Sequence, residues 1–241
     1  MKFNIVMCCL LFLWSEFSYS QISAIEESEI VIKNDGWNLI GDLTKPSSKG
    51  VFPAVLMLNK AADDRHVYKD LAMHLAKRGI ASLRLDLRGH GSSTNLGKFI
   101  PYKNNPDPLI WDAEQDVIAA FKYLKAHPNI DSTKLGSVGA SYSGEEMAEA
   151  GRLSGYVQAY VELSPGSFSD ESINGIDSSG VPWLFIVSRN ERHLTEVTQL
   201  VRENSKEVEL LVIPGTHHAT RILENYNGMA ERIAVWLASK L

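Results

Sequence analysis

The chain has 241 residues, 44% of them hydrophobic, which suits one domain with a sizeable core. Its formal net charge is −5 and no basic stretch runs along it, which argues against nucleic acid as a partner. It contains no low-complexity tract and no internal repeat.

At the N-terminus Lys2 precedes an apolar run from Ile5 to Trp14, and Ser18-Tyr19-Ser20 follows. A positive start, a short apolar segment and small residues at −3 and −1 predict a signal peptide over residues 1–20, cleaved before Gln21. The run is too short to span a bilayer. Val6 and Met7 are not the small residues expected ahead of a lipidated cysteine at Cys8. The expectation is therefore an exported protein, periplasmic or secreted, with one domain over residues 21–241 and no membrane attachment after cleavage. Both cysteines, Cys8 and Cys9, lie in the leader. The mature chain would then hold no disulfide, no cysteine-ligated zinc and no thiol nucleophile.

In the mature chain, Glu29–Lys33 and Asn38–Leu43 flank Asn34-Asp35-Gly36, a hairpin signal. From Pro53 the pattern changes. "PAVLMLN" is a continuous apolar run, as in a strand buried on both faces. "YKDLAMHLAKRG" has helical spacing and stops at Gly79. "IASLRLD" is the next strand, and Asp112 to His127 the next helix. "KLGSVGAS" reads as a strand, Ser143 to Leu153 as a helix, and "YVQAYVELS" as a strand. About 18 residues then join Ser164 to Pro182, too few for a large helical lid. "VPWLFIVS" and "VELLVIPG" are strands, with a helix over "ERHLTEVTQLVRENS" between them. Asn227 to Leu241 closes as an amphipathic helix. Strands alternating with helices predict an α/β fold, a mostly parallel sheet covered on both faces. Function in such sheets sits at the carboxyl ends of the strands.

Four strand ends stand out there: Asn59-Lys60-Ala61, Ser141, Ser188-Arg189-Asn190-Glu191 and Thr216-His217-His218. A serine, a carboxylate and a histidine thus follow one another in chain order. A serine hydroxyl needs a base to take its proton, and histidine does so near neutral pH. A carboxylate fixes the imidazole tautomer and stabilises the imidazolium. Two backbone N–H groups must face the developing oxyanion. The metal-ligand patterns are missing, and no cofactor is indicated.

These segments resemble the α/β-hydrolase superfamily, specifically its small, lidless, dienelactone-hydrolase-like members. "LRLDLRGHGSS", residues 83–93, is similar to the D-x-R-G-x-G-x-S turn of that superfamily. Gly139-Ala140-Ser141-Tyr142-Ser143 falls on its G-x-S-x-G elbow, with Ser143 where the second glycine stands. Pro182–Glu191 matches its acid segment, with Ser188 in place of a glycine, and Pro214-Gly215-Thr216-His217-His218 its histidine segment. The resemblance implies Ser141 as nucleophile, His218 as base and Glu191 as acid, with the N–H groups of Ala61 and Tyr142 as the oxyanion hole. His217 is the competing histidine and Glu162 the competing acid. Asn59-Lys60 replaces the family's His-Gly, and Lys60 is a candidate contact for an anionic substrate. Ser143 is small and placed to cap the following helix. Asp86 is expected to hold its turn through Arg88 and Gly91, and His74 and His90 to be ordinary. Glu145 and Glu146 suit a helix N-terminus. Phe99, Tyr102 and Trp111 could wall a substrate pocket or pack their loop down.

The function expected from the resemblance is a serine hydrolase acting on small-molecule carboxylic esters through an acyl-enzyme. A peptidase of the same fold and a non-catalytic protein that keeps the fold are the alternatives. Nothing in the sequence specifies the number of subunits.

Overall fold

The computed structural model describes residues 24–101, 108–111, 113–166, 168–191 and 207–241. The expected leader, Tyr102, the side chain of Trp111, Asp112 and the helix expected after Glu191 lie outside the described residues.

Strands β1 (Ile25–Asn34) and β2 (Trp37–Pro46) form the antiparallel hairpin. Its two-residue turn, Asp35-Gly36, has positive φ at both positions, 45° and 81°. That mirror-image turn matches the twist of the strands it joins. Strands β3 (Phe52–Leu58), β4 (Ala81–Leu85), β5 (Ile130–Ala140), β6 (Ala159–Leu163), β7 (Trp183–Ser188) and β8 (Val208–Ile213) complete the sheet. The order is β1-β2-β4-β3-β5-β6-β7-β8. β2 pairs antiparallel with both neighbours, and every pairing from β4 to β8 is parallel.

The central strands alternate between two cores. Leu56 and Leu58 join the core on one face, Val55 and Met57 that on the other. Helices α3 (Glu114–Ala126) and α4 (Tyr142–Ser154) supply Phe121, Leu124 and Met147 to the first core. Helix α1 (Lys69–Ala76) supplies Leu71 and Leu75 to the second. Burial on both faces is why these strands read as unbroken apolar runs.

Three short helices depart from the sequence reading. α2 (Pro108–Trp111) is a single turn before α3. α5 (Asp170–Ser179) occupies the connection after Ser164, with the Ser169 hydroxyl accepting the Ser172 N–H as its cap. α6 (Arg221–Asn225) precedes the closing helix α7 (Met229–Lys240).

Candidate active site

The elbow stands where β5 runs into α4. Ser141 has φ 58° and ψ −121°, a conformation that costs a non-glycine residue about 1–3 kcal/mol. Its N–H donates to Leu163 O on β6, and its carbonyl accepts the N–H groups of Gly144 and Gly166. These bonds hold the strained turn open and present the side chain at the carboxyl edge of the sheet.

Ser143 does not cap the helix. α4 begins at Tyr142, so Ser143 lies inside its first turn. Its buried hydroxyl accepts the Ala140 N–H at 2.8 Å and donates to Leu58 O at 3.0 Å, tying the ends of β5 and β3 together. Close packing passes instead to Gly139 and Gly144. A Cβ on either would lie 2.5 Å from the Glu162 carboxyl group. Glu162 makes no hydrogen bond to His218. It fills the notch beneath the elbow, fully buried and with neither oxygen hydrogen-bonded. Burial pushes its pKa well up, the nearby Ser141 amide offsetting only part of the shift.

The other expected groups converge on Ser141. His218 Nε2 lies 3.1 Å from Ser141 Oγ, and His218 Nδ1 is hydrogen-bonded to Glu191 Oε1. With Nδ1–H donated to the carboxylate, Nε2 is left to accept the serine proton. Glu191 Oε2 accepts two further bonds, from Ser164 Oγ at 2.7 Å and Ser188 N–H at 3.0 Å. Burial raises the Glu191 pKa, but these bonds and the His218 charge outweigh it and hold the carboxyl below its ordinary value of 4.5. His217 turns elsewhere. Its ring meets Tyr226 edge-on, and its carbonyl accepts the Ser188 hydroxyl at 2.6 Å. Ser188, standing where the family has glycine, thus pins the histidine loop to the end of β7.

Ser164 went unnoticed in the sequence. Its hydroxyl donates to Glu191 and accepts the Ala219 N–H at 2.9 Å, linking the acid to the residue after His218. The available signal was its place at the end of β6, beside the other functional strand ends.

On the opposite side, Asn59 donates to Lys60 O and Asp63 O and so shapes the loop that carries Ala61. β3 and β5 are adjacent, which brings that loop beside the elbow. Among the described residues neither the Ala61 nor the Tyr142 N–H has an acceptor. The Tyr142 amide is a first-turn N–H, which has no intrahelical partner. Lys60 is engaged with Asp63 at 2.8 Å, and the other oxygen of Asp63 accepts the Thr220 hydroxyl.

Asp86 holds its turn, but through Arg65 and the Ser92 N–H, while Arg88 pairs with Asp116. His74 lies on α1 near Asp70, and His90 is stacked between Phe99 and Tyr142, with centroids 4.8 and 5.7 Å away. Phe99 therefore packs its loop against the elbow. A cavity of about 730 Å³ opens beside Ser141, bordered by Tyr142 and Phe168. Among the described residues no group of three or more His, Cys, Asp or Glu is arranged to hold a metal. None of the described helices is long and apolar enough to cross a membrane.

The sheet order, the elbow and the hydrogen-bonded Ser141, His218 and Glu191 define an α/β-hydrolase-superfamily fold of the dienelactone-hydrolase/esterase-like kind. The comparisons agree. Residues 35–152 match a family model described as X-Pro dipeptidyl-peptidase (S15 family). A Bradyrhizobium sp protein named "Probable 2-oxo-3-(5-oxofuran-2-ylidene)propanoate lactonase" is 26% identical over 204 residues, 78% of this chain and 81% of its own. An esterase of Pyrococcus furiosus superposes with a TM-score of 0.68 at 21% identity, over 90% of this chain and 93% of its own. A dienelactone hydrolase-like promiscuous phosphotriesterase from metagenomic libraries gives 0.68 at 17% identity, over 90% and 99%.

Proposed function

We propose that the protein is a serine hydrolase of small-molecule carboxylic esters, with Ser141 as nucleophile, His218 as general base and acid, and Glu191 as the residue that orients His218. The observation that carries this reading is the continuous hydrogen-bonded chain from Ser141 Oγ through the His218 ring to Glu191. Ser141 Oγ attacks the ester carbonyl carbon as His218 Nε2 takes its proton. The oxyanion is received by the N–H groups of Tyr142 and Ala61. The carbon–oxygen bond to the alcohol then breaks, His218 returns the proton to the leaving oxygen, and an acyl-Ser141 ester remains. Water, deprotonated by His218, attacks that ester and releases the acid and Ser141.

A peptidase is the second reading, and the match to the X-Pro dipeptidyl-peptidase model over residues 35–152 favours it. Hydrolysis of a p-nitrophenyl ester and of an aminoacyl-nitroanilide by the wild type and by Ser141→Ala tests both. The esterase reading expects ester turnover that vanishes in the variant. Preferential turnover of the anilide would favour the peptidase, and undiminished ester turnover by the variant would sink both. Export, cleavage before Gln21 and a single domain over residues 21–241 complete the proposal.

A further inference from the structure

The loops after β3 and β8 are strained in the same way. Ala62, one residue after the proposed oxyanion donor Ala61, has φ 68°, and Ala219, one residue after His218, has φ 56°. A residue with a Cβ keeps such a backbone only where its surroundings hold it there, and strain of this kind gathers at functional sites. In each loop the next residue reaches toward the other. Asp63 follows Ala62, Thr220 follows Ala219, and the Thr220 hydroxyl donates to Asp63 Oδ2 at 2.5 Å. In the sheet order β5, β6 and β7 stand between β3 and β8, so the two loops meet without any strand pairing between them.

Both ends of this bond are anchored. The Asp63 N–H donates to Lys60 O at 3.2 Å, and its carbonyl accepts the Asn59 side chain at 2.8 Å, which closes residues 59–63 around Ala61. Asp63 Oδ1 accepts Lys60 Nζ at 2.8 Å, and the carboxylate has its second oxygen for Thr220. The Lys60 and Asp63 side chains are only 17% and 23% exposed, so water screens this pair less than it screens a surface pair. On the other side Thr220 is fully buried. The carbonyls of His218, Ala219 and Thr220 accept the N–H groups of Arg221, Ile222 and Leu223, so α6 holds the three as one turn.

We propose that Asp63 is a positioning residue for the hydrolysis: its carboxylate, neutralised by Lys60 and bonded to Thr220, ties the oxyanion loop to the histidine loop, so that the Ala61 N–H and His218 Nε2 keep their spacing about one reacting carbonyl; the proposal rests on the ester-hydrolase reading. Base and oxyanion donor serve the same tetrahedral carbon. A displacement of about 1 Å between them costs up to about a hundredfold in rate. Lys60 then acts as the counter-ion of Asp63.

The test uses the whole chain. Thr220→Val removes the hydroxyl and keeps the branched shape. Its kcat on p-nitrophenyl acetate is expected to fall about ten- to a hundredfold, with KM little changed, because acylation and deacylation both pass through an oxyanion. Thr220→Ser, which keeps the hydroxyl, should restore kcat to near the wild-type value. Asp63→Ala should lower kcat as well, and adding Thr220→Val to it should cost little more, since both break one bond. Phenylboronic acid supplies a readout that needs no turnover. Ser141 Oγ bonds to boron, His218 takes the serine proton, and a boron-bound oxygen stands where the oxyanion would. Its affinity should fall by about the same factor as kcat, whereas phenol, which forms no oxyanion, should bind equally to all variants. A merely structural bond would shift the melting temperature and leave kcat and boronate affinity of the folded protein at wild-type values. That outcome, or losses that multiply in the double variant, would overturn the proposal while leaving the ester reading standing. Boronate binding without turnover of any ester would contradict the ester reading, and its weakening in Thr220→Val would still support the tie between the loops.

Discussion

Ser164→Ala probes the link between the acid and the histidine loop. Ser164 is 1% exposed, and its one hydroxyl serves two partners. It donates to Glu191 Oε2 at 2.7 Å and accepts the Ala219 N–H at 2.9 Å. A hydrogen bond to a charged group contributes about 1.5–3 kcal/mol, and a stranded buried donor costs about 1–3 kcal/mol. Because one hydroxyl makes both bonds, the terms overlap, and the expected loss is about 2–4 kcal/mol near neutral pH. The loss should depend on pH. Glu191 has its folded pKa below the ordinary value of 4.5, so its contribution is fully present above that value. It disappears as pH falls through the folded pKa. The cost of Ser164→Ala should therefore shrink in acid, leaving only the Ala219 part. Glu191 keeps the Ser188 N–H at 3.0 Å and its bond to His218. The proposed kcat loss is accordingly about tenfold, well short of the roughly ten-thousand-fold loss known when a triad acid is neutralised. Urea unfolding as a function of pH, with ester kinetics at neutrality, measures both. An unchanged urea midpoint near neutral pH, or a destabilisation as large in acid as at neutrality, would refute the reasoning.

Gly144→Ala would place a Cβ 2.5 Å from the Glu162 carboxyl carbon, an overpacking that costs about 1–3 kcal/mol. Adding Glu162→Ala removes the obstacle, so the two melting shifts should be far from additive, and simple additivity would contradict the packing. His218→Ala should abolish ester turnover, whereas His217→Ala should be mild, since that residue supplies a backbone carbonyl to Ser188. The reverse pattern in the same kinetic assay would exchange their roles. Mass spectrometry of protein from an export-competent host should find Gln21 at the N-terminus, and retention of Met1 would dismiss the leader.

The parallel sheet was legible because strands buried on both faces must be apolar throughout, and "PAVLML" and "PWLFIV" carry that requirement openly. The convergence of Ser141, Glu191 and His218 was legible because each ends or follows a strand on one edge. What escaped depends on side chains meeting across the fold. Asp86 finds Arg65, 21 residues away, rather than its neighbour Arg88. Ser143 bonds Leu58 O on another strand instead of capping its own helix. The two serines that depart from the family's glycines both proved to be hydrogen-bonding ties, a role that composition does not announce. α5 escaped because Asp170–Ser179 is polar and short, and only its Ser169 cap marks it.

An activated nucleophile at Ser141, as proposed, should be open to covalent labelling. The purified chain is incubated with a fluorophosphonate, and the adduct is located by peptide mapping. A stoichiometric adduct on Ser141 is expected, formed far more slowly in His218→Ala. Ester turnover by a chain that takes up no label, or an adduct on a different serine, would contradict it.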